Sequence, residues 1–143
     1  IPPEEVDSIN RELQRVGMDN IFLVAPTTPD ERIARIAARA SGFIYYVSLK
    51  GVTGAGHLDT VEVAARVNAI RQHSKLPVAV GFGIKDAASA RQVSQTAEGV
   101  VVGSALVHAM AQVIEQGGTP DAAIAAAAGL LGQIRKGMDS AAS

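Results

Sequence analysis

The sequence predicts an α/β protein with a parallel β-sheet whose outer face is covered by helices. Four short runs are apolar along nearly their whole length, and each is too short to form a helix. These runs occupy residues 20–25, 43–48, 77–80 and 99–102. One helical segment separates each run from the next, and this alternation is typical of buried parallel strands. The predicted order is therefore one helix, four βα units and a further helix.

The first half of the chain contains a leading helix and two βα units. Residues 2–16 have apolar side chains at helical spacing, and Gly17 is expected to end that helix. After the first strand, Thr28-Pro-Asp-Glu31 matches a capping box with proline at the first helical position. Gly42 is expected to close this second helix.

The second half repeats the pattern and adds a last helix. Asp59-Thr-Val-Glu62 matches another capping box, and Asp86 is expected to cap the helix after the third strand. The helix after the fourth strand is predicted to begin at Ser104. Gly117-Gly118 then interrupts the chain before an alanine-rich helix, and residues 140–143 are expected to fray.

Composition excludes several classes of function. The 143 residues suit a single domain, and 48% of them are hydrophobic, which is enough for a sizeable core. Only 3% are aromatic and the net charge is −1, so no nucleic-acid surface is predicted. Cysteine is absent, and His57, His73 and His108 lack the spacing of metal ligands. No run approaches the ~20 apolar residues that cross a bilayer, and no signal peptide is recognisable. We therefore expect a cytoplasmic protein with no metal and no membrane contact.

Four parallel strands do not close a barrel, which takes eight. The chain also enters a helix at once, with no strand before it. Either the strands form an open sheet, or they are the back half of a (β/α)8 barrel, the TIM barrel, cut at a loop. We favour the barrel because glycine-rich loops follow the last three strands, and the phosphate site of such barrels lies after the last two. On this interpretation residues 1–143 are the C-terminal half of one barrel domain, and its unpaired edges favour self-association or pairing with the missing half.

The glycines after the third and fourth strands point to an anion site. Gly83 and Gly103 each follow a valine-rich strand, and Gly103-Ser104 opens a helix whose first N–H groups face outward. Such amides bind phosphate without help from lysine. The alternative is ordinary turn chemistry. Neither Gly51–Gly56 nor Gly81–Gly83 has the spacing of a dinucleotide-binding fingerprint.

Three further features suggest a ligand, and each has a structural alternative. Residues 49–58 form a long glycine-containing loop that is predicted to be a lid, or else a surface loop without function. Phe82 suits a planar apolar substrate, or else a core contact. Tyr45 and Tyr46 alternate on the second strand, so they lie on opposite faces of the sheet. The inward-facing tyrosine contacts a ligand, or else it is a buried core phenol that only satisfies its hydroxyl.

Acid–base groups are missing from all four predicted strands, which contain no Asp, Glu, Lys or His. Cleavage and isomerisation both need a positioned acid and base. Tyr45 is a poor base because the ordinary pKa of tyrosine is near ~10. We therefore expect the ligand to be transformed by groups supplied from elsewhere.

The motifs resemble one family closely, the α subunit of tryptophan synthase. The resemblance runs along essentially the whole chain, and the most specific block is Ser48-Leu-Lys-Gly-Val-Thr-Gly54. The other matching segments are Pro2-Pro-Glu-Glu5, Ile21-Phe-Leu-Val-Ala-Pro26, Tyr45-Tyr-Val, Gly81-Phe-Gly-Ile84 and Gly103-Ser-Ala-Leu-Val107.

This resemblance implies a (β/α)8 barrel that cleaves indole-3-glycerol phosphate to indole and glyceraldehyde 3-phosphate. Indole then passes to a pyridoxal-phosphate-dependent β subunit, so no cofactor is expected in this chain itself. Matching motifs place Leu23, Tyr45 and Val101 at the indole site and make Thr53 an accessory lid residue that engages a catalytic carboxylate. They assign the phosphate and substrate shell to Gly54, Gly81, Phe82, Gly83, Gly103 and Ser104.

The departure from the family is equally informative. Its two catalytic carboxylates lie on early strands and loops that this sequence does not contain. We therefore expect the parent protein to be a lyase of tryptophan biosynthesis and this segment alone to be inactive. Two alternatives are a non-catalytic phosphate-binding or interaction module, and another phosphate-binding barrel such as a relative of ribulose-phosphate epimerase. The Gly-Val-Thr-Gly segment argues against the second alternative.

Overall fold

The computed structural model describes residues 6–47, 59–81 and 83–141 and contains the predicted elements in the predicted order. Its helices and strands are α1 (Asp7–Arg15), β1 (Phe22–Val24), α2 (Asp30–Ala37), β2 (Ile44–Val47), α3 (Thr60–His73), β3 (Val78–Gly81), α4 (Ala87–Ser94), β4 (Gly99–Val100), α5 (Ser104–Glu115) and α6 (Pro120–Ala141). β1, β2 and β4 are shorter than the apolar runs that predicted them, because the ends of those runs enter the connecting loops, while β3 has the predicted length and lies one residue later.

The four strands form one parallel sheet in the order β1-β2-β3-β4. Leu23 pairs with Tyr45, Tyr45 with Ala79, and Ala79 with Gly99, so these four residues form a row across one face. Every strand pairs with the strand that follows it in sequence. The predicted fold class, a parallel (βα)4 arrangement, is confirmed.

The two faces of the sheet differ in what covers them. The outer face carries Val24, Ile44 and Val80, which are fully buried in one core with side chains of the helices. On the inner face Leu23 is 61% exposed, and Tyr45 is half-buried. Along β1 and β2 every second side chain lies in the core, which is typical of a sheet whose helices lie on one side.

Two predicted helix caps are confirmed. The Asp86 carboxylate accepts a hydrogen bond from Ser89 N–H at 2.8 Å, and the Ser89 hydroxyl oxygen accepts from Asp86 N–H, which completes a capping box. The Asp59 carboxylate accepts from Glu62 N–H at 3.0 Å. These contacts satisfy N–H groups that have no partner inside the helix.

The predicted cap at Thr28 is wrong. The hydroxyl of Thr28 accepts a hydrogen bond from Ala25 N–H at 2.9 Å, so it closes the turn after β1. Pro29 occupies the N-cap position of α2 instead, and no side chain caps it. The helix also ends at Ala37, five residues before Gly42, whose φ of 71° serves the later turn into β2.

The C-terminal helix is longer than predicted. α6 continues through Ser140 to Ala141, whereas the sequence suggested fraying from Ser140. This helix packs against α4 and α5. The contact with α4 is close at Gly137, where a Cβ atom would collide with the carbonyl group of Ala87. None of the helices in the described part of the chain is both long and apolar enough to span a membrane.

Side-chain hydrogen bonds connect the elements at the amino edge of the sheet. Glu98 precedes β4, and its carboxylate accepts hydrogen bonds from Val78 N–H at 2.8 Å and from the guanidinium of Arg71. Beside β1, Asn20 donates to the Asn10 side chain at 2.9 Å, which fixes α1 against the strand. The starts of β1, β3 and β4 are thus held by residues distant in sequence.

Candidate functional site

The predicted site residues that the structure describes all lie at or near the carboxyl edge of the sheet. Parallel strands place all their carboxyl ends at one edge, and ligands of open and closed α/β sheets bind there. The loop after β1, the residues after β3 and the segment from Val101 to Gly103 leave the sheet at this edge. Each of these connections leads into the N-terminus of a helix.

An apolar surface begins on the inner face at Leu23 and Tyr45. The two residues are register partners on neighbouring strands, so their side chains lie side by side on one face. Leu23 makes little packing contact for a leucine, since 61% of it is exposed. The alternative that Tyr45 is simply a buried core phenol does not hold, because Tyr46 fills the core and Tyr45 lies on the open face.

Gly81 determines where the Tyr45 ring lies. A Cβ atom on Gly81 would collide with the Tyr45 hydroxyl, Cε2 and Cζ atoms. The ring therefore crosses from β2 to the last residue of β3, and its hydroxyl points toward the carboxyl edge. A glycine is required at Gly81 for this close approach, and the residue itself is buried under the ring.

Val101 and Gly83 continue the site beyond the strands. Val101 N–H donates to Val80 O at 2.9 Å, so β3 and β4 stay paired one residue past the end of β4, and the Val101 side chain is 40% exposed. Gly83 has φ of 58° and no neighbouring atoms around the position of a Cβ. This left-handed conformation favours glycine and turns the chain away from β3 into open space.

Gly103 and Ser104 form the N-terminus of α5. Gly103 is the N-cap residue, and its carbonyl accepts from Leu106 N–H at 2.9 Å and Val107 N–H at 3.2 Å. The N–H groups of Ser104 and Ala105 precede these first bonds and lie outside the helical ladder. Both Gly103 and Ser104 are exposed. The positive end of the helix dipole is therefore open to an anion.

A cleft of about 310 Å³ lies where β1 ends and α2 begins. Leu23 and Val47 contribute its apolar wall, and Thr27, Thr28 and Arg32 contribute polar groups. Sequence reasoning missed Val47, although strand alternation places it on the same face as Tyr45. It also missed Arg66, whose guanidinium donates to Pro26 O from α3 and holds the loop beside this cleft. No sequence motif indicates the contact between Arg66 and Pro26.

Three predicted site residues lie outside the described residues. They are Thr53 and Gly54, which belong to the predicted lid at residues 49–58, and Phe82 between Gly81 and Gly83. The arrangement that can be built therefore joins Leu23, Tyr45, Gly81, Gly83, Val101, Gly103 and Ser104.

Among the described residues, the four strands carry no ionisable side chain on the inner face other than Tyr45. The four strands contain no Asp, Glu, Lys or His within their observed bounds. Asp86 follows β3, but hydrogen bonds from the Ser89 N–H and hydroxyl hold the pKa of its carboxyl below the usual value. An ionised cap of this kind is not a general acid near neutral pH. Across residues 6–47, 59–81 and 83–141, no cluster of His, Asp and Glu side chains is arranged to hold a metal ion.

The parallel (βα)4 sheet with helices on its outer face is half of a (β/α)8 barrel, as its likeness to solved barrels shows. Solved structures agree. Tryptophan synthase subunit alpha from Legionella pneumophila superposes with a TM-score of 0.78 and 39% identity, over 97% of this chain and 49% of that chain. Tryptophan synthase from Mycobacterium tuberculosis gives a TM-score of 0.79 at 33% identity, over 96% and 49%.

Sequence comparison identifies the particular family. The family model for the tryptophan synthase alpha chain matches residues 1–135. The alpha chain of Burkholderia mallei is 47% identical over 141 residues, 99% of this chain and 50% of that protein. The alpha chain of Chromobacterium violaceum is 56% identical over 107 residues, 75% and 41%. The chain belongs to the tryptophan synthase alpha chain family and corresponds to the C-terminal half of its barrel. It spans about half the length of the curated relatives it matches.

Proposed function

We propose that this chain is the phosphate- and indole-binding half of a lyase of tryptophan biosynthesis. The reaction cleaves indole-3-glycerol phosphate to indole and glyceraldehyde 3-phosphate, and we place it in the cytoplasm. One observation carries the proposal: an apolar inner face at Leu23, Tyr45 and Val101 leads to the open helix N-terminus at Gly103 and Ser104. A ligand with a flat apolar ring at one end and a phosphate at the other fits that order of surfaces.

The phosphate is held mainly by backbone amides. The N–H groups of Ser104 and Ala105 have no acceptor within α5, and a phosphate oxygen satisfies them while the helix dipole stabilises its charge. The loop after β3 reaches the same edge at Gly83. No atom lies within 4 Å of a Cβ position there, so the backbone is open to a ligand. We assign Gly54 to the same shell on its sequence motif alone.

The indole ring lies on the inner face. Leu23 loses exposed apolar surface when the ring covers it, which favours binding by about 25 cal/mol per Å². Tyr45 is held over Gly81 and presents a ring face and a hydroxyl. We assign Phe82 to the same site on the motif Gly81-Phe-Gly-Ile84 alone.

The chemical step needs groups that this chain does not supply. Breaking the bond between the indole ring and the glycerol side chain requires a proton placed on the ring carbon and a proton removed from the adjacent hydroxyl. A positioned acid and base serve these steps. We assign both to carboxylates of the other half of the barrel, with Thr53 positioning one of them as the lid closes. The isolated chain binds ligand and does not turn it over.

Indole released at this edge is passed to a partner, the tryptophan synthase β subunit. That partner is proposed to hold the pyridoxal phosphate, and this chain holds no cofactor. Relatives titled tryptophan synthase support this assignment. The lack of acid–base groups on the inner face favours one alternative, a phosphate-binding half-barrel with no catalytic role.

Binding tests the first part of the proposal. Adding indole-3-glycerol phosphate to the ¹⁵N-labelled chain is expected to shift the amide resonances of Gly83, Gly103 and Ser104. Ser104→Glu places a carboxylate at the phosphate position and is expected to weaken binding at least ~10-fold by charge repulsion, while the new charge suits the helix N-terminus. Ala122→Glu is the matched control, because it adds the same charge to the first turn of α6 at the opposite edge. Equal effects of the two variants would remove the assignment.

Activity tests the second part. The chain alone is expected to release no indole, and mixing it with a fragment carrying the first four strands is expected to restore cleavage. Ser104→Glu should reduce that restored activity, and Ala122→Glu should not. Full activity of the chain alone, with its mass verified, would contradict the assignment of the acid and base to the other half. Ligand binding without restored cleavage would favour the non-catalytic alternative.

A further inference from the structure

The loop between β1 and α2 supplies the polar groups of the cleft at the end of β1. Thr27, Thr28 and Arg32 line the cleft together with the apolar side chains of Leu23 and Val47. The aromatic end of the proposed ligand lies on Leu23, so the position of this loop determines how much room the ring has. The contacts that fix the loop therefore bear on affinity as well as on stability.

Hydrogen bonds within the loop fix the shape of its first turn. Ala25 N–H donates to the Thr28 hydroxyl at 2.9 Å, and Thr28 N–H donates to Ala25 O at 3.0 Å. These two bonds close the turn on itself and do not attach it to a neighbouring helix. Pro29, the N-cap residue of α2, provides no side-chain hydrogen bond either. The turn needs a contact with another element to hold its position.

Arg66 supplies such a contact from α3. Its guanidinium donates to Pro26 O, which lies inside the turn and 40 positions away in sequence. One terminal nitrogen makes this bond, and the other lies 3.6 Å from Asp30 Oδ1 at the start of α2. The planar fork of arginine suits two acceptors at once. The Arg66 side chain is only 28% exposed, whereas that of Asp30 is 77% exposed, so the bond to the carbonyl is the better shielded of the two contacts.

We propose that Arg66 is a positioning residue for the aromatic end of the ligand. By holding Pro26 O against α3, it fixes the loop and thereby sets the affinity of the cleft for a flat apolar ring. Arg66 does not line the cleft, so it acts through the loop. This inference rests on the proposed function, which assigns the ring to Leu23. The phosphate end is insensitive to Arg66, because Gly103 and Ser104 follow β4, at the other end of the strand order.

The same helix provides a matched control. Arg71 lies five positions further along α3 and also donates to a group distant in sequence, the carboxylate of Glu98. Its side chain is 38% exposed, close to the value for Arg66, but its contact lies at the amino edge of the sheet. Arg66→Met and Arg71→Met each remove one guanidinium and one long-range hydrogen bond, at opposite edges. A general loss of charge or of helix packing therefore affects both variants.

Hydrogen exchange tests the loop without any ligand. Arg66→Met is expected to raise the exchange rate of the Thr28 amide at least about fivefold, because the turn opens more often once Pro26 O is released. It is also expected to shift the amide resonance of Thr27, which shares a peptide group with Pro26 O. Arg71→Met should change neither quantity. Unchanged exchange at Thr28 in Arg66→Met overturns the proposal at its first step.

Indole and inorganic phosphate test the two ends of the ligand separately. Arg66→Met is expected to weaken indole binding about 5–10-fold, because a charge-assisted hydrogen bond that holds the loop is lost. Phosphate binding, followed at the Ser104 amide, should not change. Arg66→Lys keeps one donor for Pro26 O and is expected to recover most of the indole affinity. Unchanged indole affinity in Arg66→Met, or an equal loss in Arg71→Met, overturns the proposal. Loss of phosphate binding together with indole binding would identify a general structural role and also overturns it.

Failure of the proposed function gives a different result. If the unsubstituted chain binds no indole, the assignment of the ring to Leu23 is contradicted, and the effect of Arg66 on affinity is contradicted with it. If the unsubstituted chain binds indole and Arg66→Met binds it equally well, only the role of Arg66 is contradicted.

Discussion

The outer and inner faces of the sheet are made from similar apolar residues but have opposite surroundings. On the outer face Val24, Ile44 and Val80 are completely buried beneath helices. On the inner face Leu23 is mostly exposed and Tyr45 is held in place by the absence of a side chain at Gly81. The outer face therefore supplies most of the free energy of folding, while the inner face retains surface that a ligand can cover.

The largest expected difference comes from removing similar aliphatic groups on the two faces. Ile44→Ala leaves a cavity under the helices and is expected to lower the free energy of unfolding by about 2–5 kcal/mol. Leu23→Ala removes an exposed side chain and is expected to cost less than about 0.5 kcal/mol. Urea unfolding followed by circular dichroism measures both.

For ligand affinity, the two substitutions are expected to have effects in the reverse order of size. Leu23→Ala should weaken indole-3-glycerol phosphate binding, whereas Ile44→Ala should affect it only through stability. Equal losses of stability in the two variants would mean that the inner face is packed in solution.

Sequence pattern predicted the outer face well because strands with apolar side chains on both faces leave a visible continuous apolar run, whether or not both faces are buried. It predicted the order of all ten elements, the parallel sheet and the cap at Asp86. It misplaced the start of α2, because Thr28 can close the turn at Ala25 or cap a helix, and only the tertiary path of the loop decides between them. It extended α2 to Gly42 because a glycine marks a turn without saying how many residues precede it.

Hydrophobic periodicity predicted little of the site, and most of its residues were predicted from glycine positions and family motifs. Glycines after strands indicated the carboxyl edge, and the resemblance assigned Leu23, Tyr45 and Val101. No periodicity reveals the contact between Tyr45 and Gly81, because it joins residues 36 positions apart through the register of two strands. The hydrogen bonds from the Arg66 guanidinium to Pro26 O and from Val78 N–H to the Glu98 carboxylate also join residues that are distant in sequence. They depend on which surfaces meet, and local sequence does not encode that.

The next largest effect separates two glycines of α6. Gly137→Ala puts a Cβ atom against the backbone of Ala87, which cannot move without separating α6 from α4. The expected loss of stability is about 1–3 kcal/mol. Gly132→Ala is the matched control in the same helix, since nothing lies within 4 Å of the added atom.

That control is expected to stabilise the chain by about 0.5–1 kcal/mol, because alanine favours a helix more than glycine does. Thermal unfolding of the two variants tests the opposite signs. A stabilising Gly137→Ala would mean that α6 does not pack closely on α4, and the outer face would then be less well covered than the structure indicates.

The smallest effect concerns the amino edge, where Glu98 joins β3 to Arg71. Partial burial raises the pKa of this carboxyl, but hydrogen bonds from Val78 N–H and the Arg71 guanidinium outweigh burial and hold it below its usual value of 4.5. A lowered pKa in the folded state means that the ionised carboxylate stabilises the fold at neutral pH, and that this contribution is lost as the pH falls below 4.5 through the lowered value.

Because the side chain is 49% exposed, Glu98→Ala is expected to cost only about 1 kcal/mol at neutral pH. The difference from the unsubstituted chain should shrink in acid, as measured by urea unfolding across pH, while Glu115→Ala, an exposed glutamate at the end of α5, should show little effect at any pH. A penalty at Glu98 that stayed constant with pH would identify its role as packing rather than charge, and the amino edge would then be held by its backbone pairing alone.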